Sequence, residues 1–396
     1  MAAAQIASDR LGGLPILAGR KRSGPRLAAL DTLRGALLVL ILVSHGFGLL
    51  AGAAMTRTSR EAIELLFGVA TPSFVLISGT LFGFFLKSRA DLSDVFRGYR
   101  RRAWLFFGLG HVLLAVELYP LYGGGSFWAF YLSRWYITDS LGVAFLLMPA
   151  VLPSLRPRYR VAIGAVMLLV SRLDVVLPWS AAGSARVIVL HQVFFGRPIA
   201  TPRSVFDCYP LVPIVADFIV GSFIGDRLAR ALQDGRQGIG GFVQEVRRLI
   251  LPLALLSAAI CGAWALVASH FPGHPVLQAL LFPDRSFSLF PAYLAWYLGA
   301  LCFLLTYVDA QHRADAPVIG GLALLGRRSL FVFVAQYFVV QTLPAMLGHR
   351  WMSLRGLMLF LPFAVAAVYA ATAAWDRLRQ PRAPRARPPT QVTVTR

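Results

Sequence analysis

Ten blocks of apolar residues, each long enough to cross a membrane as a helix, constrain the fold of this sequence more than any other feature. A helix spans the hydrocarbon core with about 20 apolar residues. Only 14% of the 396 residues are charged, about half the share found in soluble proteins. We therefore predict an all-α, polytopic integral membrane protein with spans near 28–50, 66–86, 103–119, 131–152, 161–177, 209–225, 249–268, 289–308, 325–344 and 355–374.

The positions of the basic residues predict how these spans are oriented. With the N-terminus inside, 28 of the 39 Lys and Arg residues fall in inside segments and nine in outside segments. Because such a bias in short loops marks the cytoplasmic side, we predict that both termini are cytoplasmic. Residues 1–27 then form a cytoplasmic N-terminal segment and 28–374 the membrane domain. Residues 375–396 form a basic tail whose composition predicts disorder.

The net charge of +21 is of a size also found in nucleic-acid-binding proteins. Here the basic residues are scattered over six loops, without a zinc-finger, helix-turn-helix or RNA-binding signature, so we expect no nucleic-acid partner. Cys208, Cys261 and Cys302 are widely spaced, which indicates neither a disulfide framework nor a zinc site. Prolines interrupt the segment that holds His270 and His274, and we expect no metal there.

Three ionisable residues lie in the first predicted span, where each is costly and is by default a functional hypothesis. Asp31 and Arg34 are three residues apart, which predicts an ion pair on one helix face. His45 follows eleven positions after Arg34, so these two share a stripe about 16 Å long. One face of the helix therefore carries a charged pair near the inner leaflet and an imidazole farther across.

This stripe has two interpretations, and the residues alone leave both open. Histidine titrates near neutral pH, so His45 is a candidate general base for an acceptor hydroxyl or amine. Arg34 would then hold an anionic part of a donor. In the structural alternative, Asp31 and Arg34 form a buried pair and His45 hydrogen-bonds a neighbouring helix.

Asp139, in the fourth predicted span, requires a cation or a hydrogen-bond donor. His45 is at a compatible depth, and a carboxylate there would fix the tautomer of its imidazole. Arg134, one turn earlier on the same helix, is the other candidate partner. In the second span, the small residues Ser78 and Gly79 permit close approach of either a helix or a ligand.

The first inside loop holds the densest group of basic residues, including Arg97, Arg100, Arg101 and Arg102. Arginine forks match phosphate oxygens, so this group is a candidate site for the phosphates of a nucleotide-like donor such as an acyl-coenzyme A. Cytoplasmic loops of membrane proteins are also rich in Lys and Arg without binding a ligand, and that alternative stays open.

Several short motifs resemble those of membrane acyltransferases. The pattern Leu30-Asp31-x-x-Arg34-Gly35, with ten residues between Arg34 and His45, resembles their Arg-x10-His signature. Further similar segments are Phe74-x-x-x-Ser78-Gly79, Asp139-Ser140-Leu141-Gly142, Phe206-Asp207-Cys208-Tyr209-Pro210 and Gly221-Ser222-Phe223-Ile224-Gly225. The Phe206 and Gly221 segments look like bacterial proteins related to heparan-alpha-glucosaminide N-acetyltransferase. Arg101-Arg102-Ala103-Trp104 and Leu325-Gly326-Arg327-Arg328-Ser329-Leu330 look more like the succinyltransferase of periplasmic glucans.

The resemblance implies an enzyme of the bacterial inner membrane that uses cytoplasmic acyl-coenzyme A as co-substrate and no metal. It would deliver an acetyl or succinyl group to a glycan or lipid acceptor on the other side, with membrane lipids and a second copy in a homodimer as further expected partners. We expect the catalytic residues His45, Arg34 and Asp139, and a donor site formed by Arg97, Arg100, Arg101, Arg102 and Ser78. The alternative is a transporter or flippase for an anionic lipid or glycan, although no internal repeat supports it.

Overall fold

A computed structural model describes residues 27–50, 67–89, 91–122, 125–176, 185–195, 209–271, 290–309, 313, 315–348 and 352–379. This part of the chain is almost entirely helical and contains no strand. Eight of its helices are long and apolar enough to cross a membrane. The prediction of an all-α polytopic membrane protein is therefore confirmed.

The helices follow one another along the chain with short π-helical or 3₁₀ turns between some of them. In chain order they are α1 (Ala28–Leu50), α2 (Ala70–Ser88), α3 (Ser93–Trp104), α4 (His111–Tyr122), α5 (Phe127–Leu132), α6 (Ile137–Val151), α7 (Pro157–Val176), α8 (Ala185–Phe194), α9 (Leu211–Gln233), α10 (Gly235–His270), α11 (Phe290–Leu304), α12 (Pro317–Arg327), α13 (Ser329–Tyr337), α14 (Leu343–Met346) and α15 (Leu354–Arg379). The π-helical segment Leu105–Gly110 joins α3 to α4, and Phe338–Thr342 joins α13 to α14.

Eight of the predicted spans coincide with candidate membrane-spanning helices. The spans predicted at 161–177 and 209–225 are helical as α7 and α9, but each of these two helices carries four charged residues, and neither is among the eight. The total of ten spans and the cytoplasmic location of both termini stay predictions.

Helix ends differ from the predicted spans where polar residues continue a helix beyond its apolar part. The helix predicted at 249–268 begins fourteen residues earlier, at Gly235, as α10. The last helix extends to Arg379, so residues 375–379, which we assigned to a disordered tail, are helical. The predicted ninth span, 325–344, is interrupted at Arg328, where α12 gives way to α13. Residues 1–26 and 380–396 lie outside the described residues.

Helices α2 and α9 cross at close range because each carries two glycines four residues apart on the shared face. A Cβ placed on Gly79 or Gly83 would overlap a backbone carbonyl of α9. A Cβ on Gly221 or Gly225 would overlap a backbone carbonyl of α2. Small residues at this spacing are what permits helix backbones to touch in a membrane. The Ser78-Gly79 segment therefore serves helix packing, one of its two predicted roles.

A second close crossing joins α1 to α12. A Cβ on Gly35 would overlap the carbonyl oxygen of Leu322, and a Cβ on Gly326 would overlap that of Asp31. Because Gly326 immediately precedes Arg327, this contact fixes the end of α12 beside the first turns of α1. The chain is thereby turned so that α13 starts next to Arg34.

Candidate functional site

A cavity of about 590 Å³ lies where α1, α3, α13 and α15 meet. Five arginines from separate parts of the chain line it: Arg34, Arg102, Arg327, Arg328 and Arg379. Apolar side chains of α4, α6, α13 and α15 and of the π-helical segment form most of the remaining wall. We call this space the arginine cavity. Its positive lining and apolar wall suit a ligand that has both anionic and apolar parts.

The start of α13 faces the arginine cavity. Ser329, Leu330 and Phe331 form its first turn and line the cavity. The first amides of a helix have no partner within the helix, and the helix dipole favours negative charge at that end. A helix start combined with arginine side chains is a suitable site for a phosphate group.

The end of α15 forms another wall of the arginine cavity and is fixed by contacts to α13. The Nε atom of Arg328 donates a hydrogen bond of 2.7 Å to Oδ1 of Asp376. The ring of Trp375 stacks on that of Phe331, with 5.3 Å between centroids. The guanidinium of Arg379 lies 4.4 Å from the centre of the Trp375 ring. These contacts bring the last helix of the described chain to the same cavity as the first.

Arg34 contacts α2 rather than the carboxylate predicted for it. Its NH2 atom lies 3.4 Å from Oγ of Ser78, and its guanidinium lies 5.4 Å from the centre of the Phe74 ring. Among the described residues, no carboxylate lies within ion-pair distance of this guanidinium. The predicted Asp31–Arg34 ion pair is therefore wrong, because the side chain of Arg34 turns towards the neighbouring helix.

The residues predicted to form a donor site are divided by the structure. Arg102 lines the arginine cavity and lies 5.3 Å from the centre of the Tyr99 ring. Arg97, Arg100 and Arg101 are exposed on other faces of α3, outside the described lining of the cavity. Ser78 is buried, and its hydroxyl donates to the Phe74 carbonyl at 2.9 Å. Ser78 therefore contacts the Arg34 guanidinium but is not among the described residues that line the cavity.

A carboxylate outside the membrane-spanning segments stabilises the start of α3. The backbone N–H and the hydroxyl of Ser93 each donate to the Asp91 carboxylate at 2.9 Å. These hydrogen bonds, with a smaller contribution from the charge of Arg97, hold the pKa of Asp91 below its usual value. The helix that carries Arg102 therefore begins at a defined residue.

His45 lies in a separate, nearly filled pocket of about 10 Å³. Oη of Tyr337 is 3.4 Å from Nε2 of His45, and the two ring centroids are 4.7 Å apart. The described residues that line this space, which we call the His45 pocket, are Ile41, His45, Thr71, Phe74, Ile137, Tyr209, Phe333 and Tyr337. The imidazole therefore faces mainly apolar and aromatic side chains.

Asp139 pairs with His111, which is neither of the partners predicted for it. Oδ2 of Asp139 lies 2.7 Å from Nδ1 of His111 and accepts the backbone N–H of Tyr136, also at 2.7 Å. Nε2 of His111 lies 3.1 Å from the Tyr131 carbonyl oxygen. The predicted pairing of Asp139 with His45 or Arg134 is wrong because His111 in α4 packs directly against the start of α6. Asp139 thus orders the chain next to Ile137, a wall of the His45 pocket.

Phe74 lies between the two cavities. It lines the His45 pocket, and it contacts Arg34, which lines the arginine cavity. Arg34 and His45 both belong to α1 and are separated by about 16 Å along its axis. Helix α13 also contributes to both spaces, through Val334 in the arginine cavity and Phe333 in the His45 pocket. The predicted stripe therefore links a cationic cavity to an imidazole.

Sequence reasoning missed several polar residues of this region. Arg327 and Arg328 belong to the acyltransferase-like segment Leu325–Leu330, but we did not predict them as site residues. We assigned Arg379 to a disordered tail. All three line the arginine cavity. Asp217 in α9 is buried and accepts a hydrogen bond from Tyr293. Glu117 lies in α4 with one carboxylate oxygen buried and without a partner among the described residues. Both Asp217 and Glu117 lie inside apolar blocks of the sequence, and that position was the signal by which they could have been selected as candidates.

No family model matches the chain, and no curated protein matches it. Among the residues that the structure describes, no group of three or more His, Cys, Asp and Glu side chains is arranged to hold a metal ion. The arginine cavity and the His45 pocket are therefore the features that bear on function.

Proposed function

We propose that this chain is a membrane-embedded acyltransferase of a bacterial inner membrane. It takes an acyl group from cytoplasmic acyl-coenzyme A and delivers it to a hydroxyl or amine of a glycan or lipid on the opposite side. The observation that carries the proposal is the placement of the arginine cavity and the His45 pocket on either side of Phe74, along the helix that carries both Arg34 and His45. A donor with phosphates at one end and a thioester at the other requires the arginines that bind its phosphates to lie at a distance from the histidine that acts as the base.

The arginine cavity supports the donor side of the proposal. Coenzyme A carries several phosphates, and arginine forks bind phosphate oxygens with two parallel hydrogen bonds. Arg102, Arg327, Arg328 and Arg379 belong to segments that charge bias assigns to the cytoplasmic side. Arg34 lines the same cavity from α1, the helix that also carries His45, and is suited to orient the donor arm.

The chemistry assigned to His45 is general base catalysis. The imidazole takes the proton of the acceptor O–H or N–H as the oxygen or nitrogen attacks the thioester carbonyl carbon. The new C–O or C–N bond forms, the C–S bond breaks, and the coenzyme leaves as a thiolate. The proton held by His45 then passes to the thiolate, so that coenzyme A is released as a thiol and His45 returns to its neutral form.

Replacing His45 with Ala tests this proposal. We expect vesicles that contain the wild-type protein, together with lipids and glycans extracted from cells that make it, to release thiol from acyl-coenzyme A and incorporate the acyl group. The His45→Ala variant should lose at least about 100-fold in rate, the range for removing a general base. It should keep the thermal stabilisation that coenzyme A confers on the wild type.

His270→Ala is the matched control, because His270 is exposed at the end of α10 and contacts Ser269 and the Leu266 carbonyl. This control should retain wild-type transfer. Equal transfer by the His45→Ala variant and the wild type would contradict the proposed role of His45.

Transport of an anionic lipid is the second candidate function. An apolar groove of about 990 Å³ lies between α1, α12 and α15, next to the helices that line the arginine cavity. Such a groove fits acyl chains while the arginines hold a phosphate. Acceleration of fluorescent phospholipid flipping by reconstituted protein, with no cleavage of acyl-coenzyme A, would favour transport over acyl transfer.

A further inference from the structure

We propose that Phe74 restricts the transferred acyl group to a short and uncharged one, such as acetyl. This inference rests on the acyltransferase function proposed above and defines its substrate class. Phe74 is 2% exposed and is a wall of the His45 pocket. The Arg34 guanidinium lies 5.4 Å from the centre of its ring, and Arg34 does not belong to the described lining of that pocket. The ring therefore separates the imidazole from the cation.

The size of the His45 pocket limits the length of the acyl group. Its volume of about 10 Å³ is close to what a single water needs. Phe74, Phe333, Ile41 and Ile137 bound it, and all four are less than 5% exposed. Protein interiors are packed densely enough that each added methylene must displace a wall. A methyl group requires the least displacement of any acyl tail.

The polarity of the His45 pocket limits the charge of the acyl group. Among the described residues that line it, His45 is the single one with a basic side chain. The free carboxylate of a succinyl group would meet no Arg or Lys among these described lining residues, and an unpaired buried charge is strongly unfavourable. Arg34, which has the charge to pair with such a carboxylate, lies behind Phe74.

The group-transfer step is the same as the one proposed above. The acceptor oxygen or nitrogen forms its bond to the carbonyl carbon, the C–S bond breaks, and the acceptor proton reaches the departing thiolate through His45. The acyl tail is the part of the donor that must lie beside Phe74 and Phe333 during this step. These two side chains consequently determine which tails are accepted.

The experiment compares acetyl-, butyryl- and succinyl-coenzyme A as donors for the wild type, Phe74→Ala and Phe333→Ala, with thiol release and acyl incorporation as readouts. Wild type should prefer acetyl over both others by at least about 100-fold, since one methylene alone discriminates by about 10- to 200-fold in an apolar pocket. Phe74→Ala should raise succinyl transfer relative to acetyl at least tenfold, because it joins the pocket to Arg34. Phe333→Ala is the matched variant and should raise butyryl transfer without raising succinyl transfer.

Each result decides between the proposals. Wild-type use of succinyl at a rate equal to acetyl would overturn the restriction and leave the acyltransferase function standing. No transfer from any donor would overturn the function itself. Unchanged donor preferences in a Phe74→Ala variant that is folded, as judged by its stabilisation with coenzyme A, would show that Phe74 does not select the acyl group. If Phe74→Ala does not fold, Phe74→Leu makes a smaller opening and is judged by the same ratios.

Discussion

The imidazole of His111 and the carboxylate of Asp139 share a proton across a distance of 2.7 Å between Nδ1 and Oδ2. Nε2 of His111 faces the Tyr131 carbonyl oxygen at 3.1 Å, and a carbonyl only accepts, so Nε2 carries a hydrogen. The second proton then lies on either Nδ1 or the carboxylate, and the pair has no net charge in both cases. This neutrality explains how the two groups are accommodated in an apolar span.

Replacing Asp139 with Ala should lower the free energy of unfolding by about 3 kcal/mol or more, the range found when one member of a buried ion pair is removed. The substitution leaves His111 without its partner and the Tyr136 N–H without its acceptor. Thermal unfolding of the purified protein in detergent measures the effect.

Asp94→Ala is the control for the Asp139 experiment. Asp94 pairs with Arg97 at 3.8 Å on an exposed face of α3, and such pairs contribute less than about 1 kcal/mol. Similar losses in the two variants would show that the His111–Asp139 pair is not a buried anchor.

The glycine crossing of α2 and α9 should be highly sensitive to a single methyl group. Gly83→Ala puts a Cβ into the Ser222 carbonyl, so the helices must separate, and we expect lower thermal stability and aggregation in detergent. Gly262→Ala is the matched substitution, since a Cβ at Gly262 meets no atom within 4 Å. Because Ala favours helix over Gly by up to about 1 kcal/mol, this control should be neutral or stabilising. Size-exclusion profiles and unfolding midpoints of both variants check the prediction.

How much of this molecule is predictable from sequence depends on whether a feature is local. The span of α1, and the shared stripe of Arg34 and His45, follow from hydropathy and helix periodicity, which are properties of consecutive residues. The partner of Asp139 does not, because His111 lies 28 residues away and is brought close by the packing of α4 on α6. Helix spacing offered only Arg134, a local candidate.

The arginine cavity shows the same limit. We selected Arg97, Arg100, Arg101 and Arg102 because they are close in sequence, yet α3 directs them to different sides and Arg102 alone of the four lines the cavity. The other arginines of the lining come from α1, from the α12–α13 break and from α15. Residues so distant in sequence have no spacing from which their meeting can be inferred. Glycine pairs such as Gly35 and Gly326, which bring these helices together, give only a weak sequence signal.

The hydroxyl of Tyr297 in α11 should contribute to stability. Tyr297 is fully buried, and its Oη lies 2.7 Å from Oγ1 of Thr80 in α2. The Thr80 hydroxyl donates to the Leu76 carbonyl at 2.9 Å, so the Tyr297 hydroxyl is the donor in this contact. Tyr297→Phe removes that hydrogen bond, and we expect a loss of about 0.5 to 1.5 kcal/mol, the net contribution of a typical hydrogen bond. Tyr307→Phe removes a hydroxyl from a tyrosine that is partly exposed and stacks on Phe303, and should change the midpoint little. Equal shifts for the two variants would contradict a specific role for the Tyr297–Thr80 contact.

Binding of coenzyme A should distinguish the arginine cavity from the exposed face of α3. Gln substitutions at Arg102, Arg327 or Arg34 remove a cation from the cavity, and each should weaken binding by about tenfold or more, since hydrogen bonds to charged groups contribute about 1.5 to 3 kcal/mol. Arg158→Gln is the control, because Arg158 is exposed and its NH2 atom lies 3.1 Å from Oη of Tyr159, away from the cavity. Isothermal titration of coenzyme A into detergent-solubilised protein gives the dissociation constants. If Gln at Arg97, Arg100 or Arg101 weakens binding as strongly as Gln at Arg327, the phosphates lie along the outer face of α3 instead.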